Sequence, residues 1–255
     1  MTTGAFPEDP SGRRAVVVLE QHDIENCSRK GETQILTDAQ THVLIYPTTE
    51  DNVGQALTNI LGAGLNCPGT ILIQSPFDLD EYVDAADASQ QFALAKHTLL
   101  SNFCQLLGAT RVSITQMEII TNGSVKTMKA DGGRLVATAE GNLEVTANDK
   151  LCSQLSLVDE YEGGEPDVEA AEKLLRFSRL GGDPNMKSLL QARRAEGNPL
   201  TKRTLTVNLS TEANKNLKVV GRLQLPTATF GAEYASAVKQ TKEYTLTLEL
   251  LFPGA

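Results

Sequence analysis

Apolar residues along this chain change their spacing repeatedly, and each change marks a different kind of element. Ala15–Glu20 is a short apolar run rich in β-branched residues and predicts a buried strand. Thr41–Tyr46, ended by Pro47, and Thr70–Gln74 predict two more. Between them, Val53, Ala56, Leu57, Ile60 and Leu61 fall on one helical face over 52–61, with Gly62 where a C-cap belongs. The longest helix is predicted over 80–107. Phe92, Ala95, Leu99, Phe103 and Leu106 form one row on it and Leu100, Cys104 and Leu107 a second, a face wide enough to lie across a sheet. His97 falls opposite the first row and is expected in solvent.

Beyond Gly108 the period shortens to two. Arg111–Thr121 and 124–130 flank Asn122-Gly123, a dipeptide suited to a type I′ turn. Asp131-Gly132-Gly133 and Glu140-Gly141-Asn142 offer further turns. They are followed by alternation at Leu135, Ala137 and Ala139, then at Leu143, Val145 and Ala147, and a strand is expected over 151–161. Helices follow at about 167–180 and 186–195, stopped by Gly181-Gly182 and Gly197-Asn198-Pro199. The remainder alternates again at 204–210, around Leu223 and Leu225, and at 244–252, with a short helix over 232–240. These elements predict an α+β fold: an antiparallel or mixed sheet packed by one long helix, with a central β meander and a C-terminal region of helices and strands. Residues 1–13 read as a mobile leader and 14–255 as one domain, with a subdivision, if there is one, expected near residue 109 or near residue 160.

Composition narrows the classes. Of 255 residues, 40% are hydrophobic and 22% charged, ordinary values for a folded protein. Trp is absent, aromatics make up 5% and the net charge is −9, so neither stacking platforms nor general attraction to phosphate backbones gives a nucleic-acid signal. No apolar stretch reaches transmembrane length or forms a signal-peptide core, and a cytoplasmic location is the expectation. The amphipathic strands at 204–210 and 244–252 are read as half-wet sheet strands rather than as membrane-inserting ones.

Candidate chemistry is sparse. Cys27, Cys67, Cys104 and Cys152 have no zinc or redox spacing, so neither metal nor cofactor is expected. Pairing of His22, His42 or His97 with one of the first three thiols in space stays open, and with it catalysis. No GxSxG elbow occurs. Asp78, Asp80, Glu81, Asp84 and Asp87 read as caps for the long helix, with Ser75 or Asp78 as the cap. Gly62-Ala63-Gly64 and Gly69 follow a helix and precede a strand, the reverse of a phosphate loop.

Charge gives the one strong signal. Seven acids and no base occupy 159–172; eight bases against two acids occupy 173–203, a segment charge of +6 that leaves −15 for the rest. The leading expectation is a non-enzymatic binding or assembly protein, its partner a second copy or another protein. It would associate through Glu165, Asp167, Glu169 and Glu172 against Arg176 and Arg179. The alternative is an enzyme or sensor that grips a phosphorylated or other anionic small molecule with Arg193, Arg194, Lys202 and Arg203.

Overall fold

A computed structural model describes residues 6–48, 54–131, 134–137, 148–195, 200–240 and 242–254. The chain forms two compact units, and neither is continuous in sequence. Unit one takes residues 1–91 and 212–241; unit two takes 92–211 and 242–255.

In unit one, a 3-10 turn at Pro10–Arg13 leads into β1 (Ala15–Glu20), followed by α1 (Gln21–Lys30) and α2 (Gln34–Thr37). Next come β2 (Thr41–Tyr46), α3 (Gln55–Gly62), β3 (Thr70–Gln74) and β4 (Tyr82–Asp84). The strands lie in the order β2-β1-β3-β4, with β1 and β2 parallel and the other pairs antiparallel. Successive strand residues point to opposite faces. Val16, Val18, Leu44 and Leu72 therefore share one face, where they cluster with Ala56, Leu57 and Ile60 of α3. The other face carries Ala15, Val17, Leu19, Ile71 and Ile73, all fully buried. A strand buried on both sides has no polar positions to alternate, which is why β1 reads as a solid apolar run.

The late segment of unit one is helical: α8 (Ala213–Arg222), α9 (Thr227–Phe230) and α10 (Ala232–Lys239), with α8 packed on β1 and β3. Residues 223–225, expected as a strand, run as irregular chain after α8; Leu223 and Leu225 are buried all the same. The polar α1 was not legible as a helix. Only Gly31 marks it, a left-handed C-cap at φ 75° whose N–H bonds the Ser28 carbonyl.

α4 (Ala88–Leu106) is shorter than expected, because Tyr82–Asp84 pairs with Leu72, Ile73 and Gln74 as an edge strand before the helix starts. Unit two then contains β5 (Arg111–Thr121), β6 (Ser124–Asp131), β7 (Arg134–Ala137), α5 (Asn148–Gln154) and β8 (Val158–Glu160). It continues with α6 (Val168–Phe177), α7 (Pro184–Arg194), β9 (Lys202–Asn208) and β10 (Lys242–Leu251). The sheet order is β7-β6-β5-β10-β9, antiparallel throughout, with β8 also pairing β5. Asn122 and Gly123 both have positive φ, 48° and 82°, as the type I′ turn requires, and Thr121 pairs Ser124 across it. Asp131 pairs Arg134 in the next hairpin. Where a strand was expected over 151–161, Leu151 and Leu155, one helical turn apart, are buried at α5 and its exit, and β8 begins only at Val158. The turn at 140–142, the alternation at Ala139, Leu143, Val145 and Ala147, and the stop at 197–199 lie outside the described residues, as do Gly132 and Gly133.

The buried stripe of α4 is rotated from the expected one. Ala95, Leu99 and Leu106 are only partly covered, while Lys96 and His97 are buried with Phe92, Leu100, Phe103, Cys104 and Leu107. The expectation of a solvated His97 is thereby corrected. Lys96 takes an inward position because its ammonium meets Asp183 Oδ2 at 3.1 Å and the Asn208 carbonyl oxygen at 2.9 Å.

Candidate functional site

Helix α8 is the most polarised helix of unit one. Ala213, Leu217 and Val220 recur at helical spacing and are buried, and Asn216 between them donates to the Gln74 carbonyl at 2.9 Å. The opposite face carries Lys215, Lys218 and Arg222, all exposed. Spaced three and four apart, these cations are neighbours, and each like-charge pair costs a helix about 0.2–0.5 kcal/mol. Lys215 also stands in the first turn, where the helix dipole disfavours a cation. Arg222, in the last turn, suits the dipole, but local stability does not account for Lys215 and Lys218.

The cations line a hollow of about 610 Å³. Arg14, just before β1, and Lys239, the last residue of α10, complete a set of five, with Gln40 and Gln240 between them. The floor is apolar, made by the buried Leu217 and Val238 beside Gly221. Backbone bonds fix the walls: Gln74 N–H donates to the Arg14 carbonyl at 3.0 Å and Ala15 N–H to the Gln40 carbonyl at 3.1 Å. The side chains are less committed. Arg222 Nη2 donates to Gln40 Oε1 at 2.8 Å, and among the described residues no carboxylate lines the hollow or pairs with any of the five cations. A concave surface of this volume with an apolar floor and convergent polar groups has the form of a small-molecule site.

The expected anion cluster is dispersed over other tasks. Arg193 is buried, gives Nε to the Leu107 carbonyl at 3.0 Å and Nη1 to the Leu200 carbonyl at 2.9 Å, and lies over the Phe252 ring at 4.5 Å. Burial lowers its pKa. Arg194 bonds Glu172, Lys202 pairs Glu249 at 2.5 Å, and Arg203 donates to Ser188 Oγ at 2.9 Å. Of the residues expected at an interface, Asp167 caps α6 by accepting from Ala170 N–H at 2.9 Å, and Glu172 is held by Arg194. Glu165, Glu169, Arg176 and Arg179 are exposed. The acidic-to-basic switch is thus partly neutralised within unit two.

A second polar cluster lies in unit two. Ser101 Oγ donates to Asp159 Oδ2 and lies 2.6 Å from the Tyr161 hydroxyl, while Ser156 Oγ donates to Asp159 Oδ1 at 2.5 Å. His97 and Cys104 flank Ser101 on the same face of α4. Burial lowers the His97 pKa, against the opposing pull of Asp159, and among the described residues its Nε2 has no partner. Burial, aided by Asp159, pushes the Cys104 thiol up to about 12. The thiol is therefore inert near neutral pH, and Ser101 donates to the Asp159 carboxylate and not to an imidazole. A neighbouring hollow of about 310 Å³ is lined by Gln105, Gly108, Tyr161, Glu162 and Glu165 and carries no cation among the described residues.

The acidic stretch before α4 does not gather a metal site. Asp80 pairs Arg13 at 2.7 Å, Asp78 accepts from Asp80 N–H, and Asp84 accepts from Ala86 N–H and the Tyr234 hydroxyl. Ser75 Oγ accepts from Phe77 and Asp78 N–H, so it caps the turn into β4 and not the helix. Among the described residues no three His, Cys, Asp or Glu side chains converge to hold a metal ion, and no helix is long and apolar enough to cross a membrane.

No family model matches the chain, and neither does any curated protein or solved structure. The signal for the groove was nonetheless written in the sequence: apolar 213, 217 and 220 alternate with basic 215, 218 and 222 at helical spacing. What no spacing could supply was the approach of Arg14 and Lys239 from distant parts of the chain.

Proposed function

We propose that the groove of unit one binds a small molecule that carries phosphate on an apolar or aromatic body. The observation that supports this reading is five cations around an apolar floor, with no carboxylate among the described lining residues. Guanidinium and ammonium groups suit phosphate oxygens, and charge-assisted hydrogen bonds contribute about 1.5–3 kcal/mol each. The apolar floor favours a ligand with a ring or acyl body over bare phosphate. The cations come from three separate places, α8, the approach to β1 and the end of α10, which suits a ligand with two or more phosphate oxygens.

Isothermal titration with nucleoside mono- and diphosphates, phosphorylated sugars and inorganic phosphate tests this. Binding is expected for a phosphate ester with an apolar body, more weakly for inorganic phosphate, and falling with added salt. Lys218→Glu with Arg222→Glu, both exposed, should weaken it a hundredfold or more at about 1.4 kcal/mol per tenfold change. Equal binding by the charge-reversed protein would refute the assignment.

Self-association is a second reading, resting on the exposed Glu165, Glu169, Arg176 and Arg179 of unit two. Sedimentation at low and high salt separates it from the first, since a salt-insensitive monomer leaves only the ligand site.

A further inference from the structure

Three sulfur atoms meet in unit two. Met117 of β5 and Met128 of β6 are direct cross-strand partners, so their side chains stand on the same face of the sheet. Both are buried, at 0% and 5% exposure. Cys152, from α5, sets its Sγ 4.0 Å from Met117 Sδ and 4.0 Å from Met128 Sδ. Cys152 forms no disulfide and is partly exposed, so the group can be reached from solvent at its cysteine corner.

We propose that Cys152, Met117 and Met128 form a binding site for a soft monovalent metal ion, copper(I). One thiolate and two thioethers are a donor set that hard or borderline divalent ions do not favour, whereas soft sulfur selects copper(I). The spacing suits it. Three sulfur donors placed around one ion at a metal–sulfur distance of about 2.3 Å stand about 4.0 Å apart when the ion lies in their plane. Both separations from the Cys152 sulfur have that value, and the cross-strand pairing sets the two thioethers side by side on one face. Charge points the same way. Binding replaces the thiol proton, which leaves to solvent, and joins a thiolate of −1 to an ion of +1; the copper stays in its monovalent state and the site stays neutral. A neutral complex can sit against the buried thioethers at low desolvation cost, whereas a divalent ion on the same ligands would leave a net charge beside two buried side chains.

Hydrophobic packing alone gives methionine and cysteine reason to be buried. The test therefore separates sulfur from shape. The exposed Cys67 is first replaced, as Cys67→Ser, to remove a competing thiol. Copper(I) is delivered anaerobically to the full chain in competition with a bicinchoninate chelator. The expected result is one equivalent taken from the chelator, with X-ray absorption showing sulfur neighbours at about 2.3 Å. Met117→Leu and Met128→Leu conserve volume and remove sulfur; each should lower affinity tenfold or more, and Cys152→Ala should abolish binding, with melting temperatures confirming that the variants fold. Failure of the Cys67→Ser protein to draw copper from the chelator would overturn the proposal. Undiminished affinity in the double methionine variant, or nitrogen and oxygen neighbours around the metal, would overturn it equally.

Discussion

Lys96→Met tests what holds α4 in place. The side chain is 1% exposed and its partner Asp183 6%, and the ammonium lies 3.1 Å from Asp183 Oδ2 and 2.9 Å from the Asn208 carbonyl oxygen. Methionine keeps the unbranched apolar stem and deletes the charge, so packing changes little. What remains is a buried carboxylate without its counter-ion. Breaking a buried pair on one side costs about 3–5 kcal/mol. Asp183 still accepts from Asn185 and Met186 N–H at the start of α7, and those two bonds place the expected loss near the lower end, about 3 kcal/mol. Urea unfolding at pH 7, followed by circular dichroism, measures it. Combining Lys96→Met with Asp183→Asn removes both charges and should recover part of the loss, since the amide still caps the helix. If Lys96→Met unfolds within about 1 kcal/mol of the parent, the pair is not the anchor described and the reasoning from desolvation fails for this site.

Other outcomes follow from the same geometry. Gly108 has φ 78°, and a Cβ there would lie 2.2 Å from the Gly164 carbonyl oxygen, so Gly108→Ala should lower stability by more than the about 1–3 kcal/mol of backbone strain alone, read as a fall in Tm. Burial lowers the His42 pKa to about 4. The unfolded chain therefore binds this proton first, and stability should decline as pH falls from about 6.5, levelling off near pH 4 with a total loss on the order of 3 kcal/mol. His42→Leu should flatten that part of the pH profile, and an unchanged slope would count against a neutral buried imidazole. With iodoacetamide at pH 8, the exposed Cys67 should be alkylated first, while Cys104, pushed up to about 12, stays unmodified in the folded protein by mass spectrometry.

The parts legible in the sequence are those in which local pattern and burial agree. β1 is apolar from Ala15 to Leu19 because both its faces are covered, and the Asn122-Gly123 turn sets a register that already places Met117 opposite Met128. Legibility failed where tertiary partners overrode local character. Lys96 points inward because Asp183, far along the chain, awaits it, and His97 follows on the same side of the helix. Arg193 looked like part of a solvated basic cluster, but carbonyls of Leu107 and Leu200 and the ring of Phe252 absorb it. The groove cations were passed over for the opposite reason: five moderate signals, none dense in sequence, converge only when α8 and α10 return to unit one.

That return has a consequence for how the molecule is made. Between β9 and β10, which are neighbours in one sheet, the chain leaves to complete unit one with 212–241 and then comes back. During synthesis β5 emerges long before β10, the strand that will sit between it and β9, so the nascent sheet waits with its centre missing. Unit one waits as well, without α8 to cover β1 and β3. Neither half can therefore mature ahead of the other as an independent cotranslational product, and a continuous fragment such as 92–211 is expected to aggregate through its unfilled strand edges.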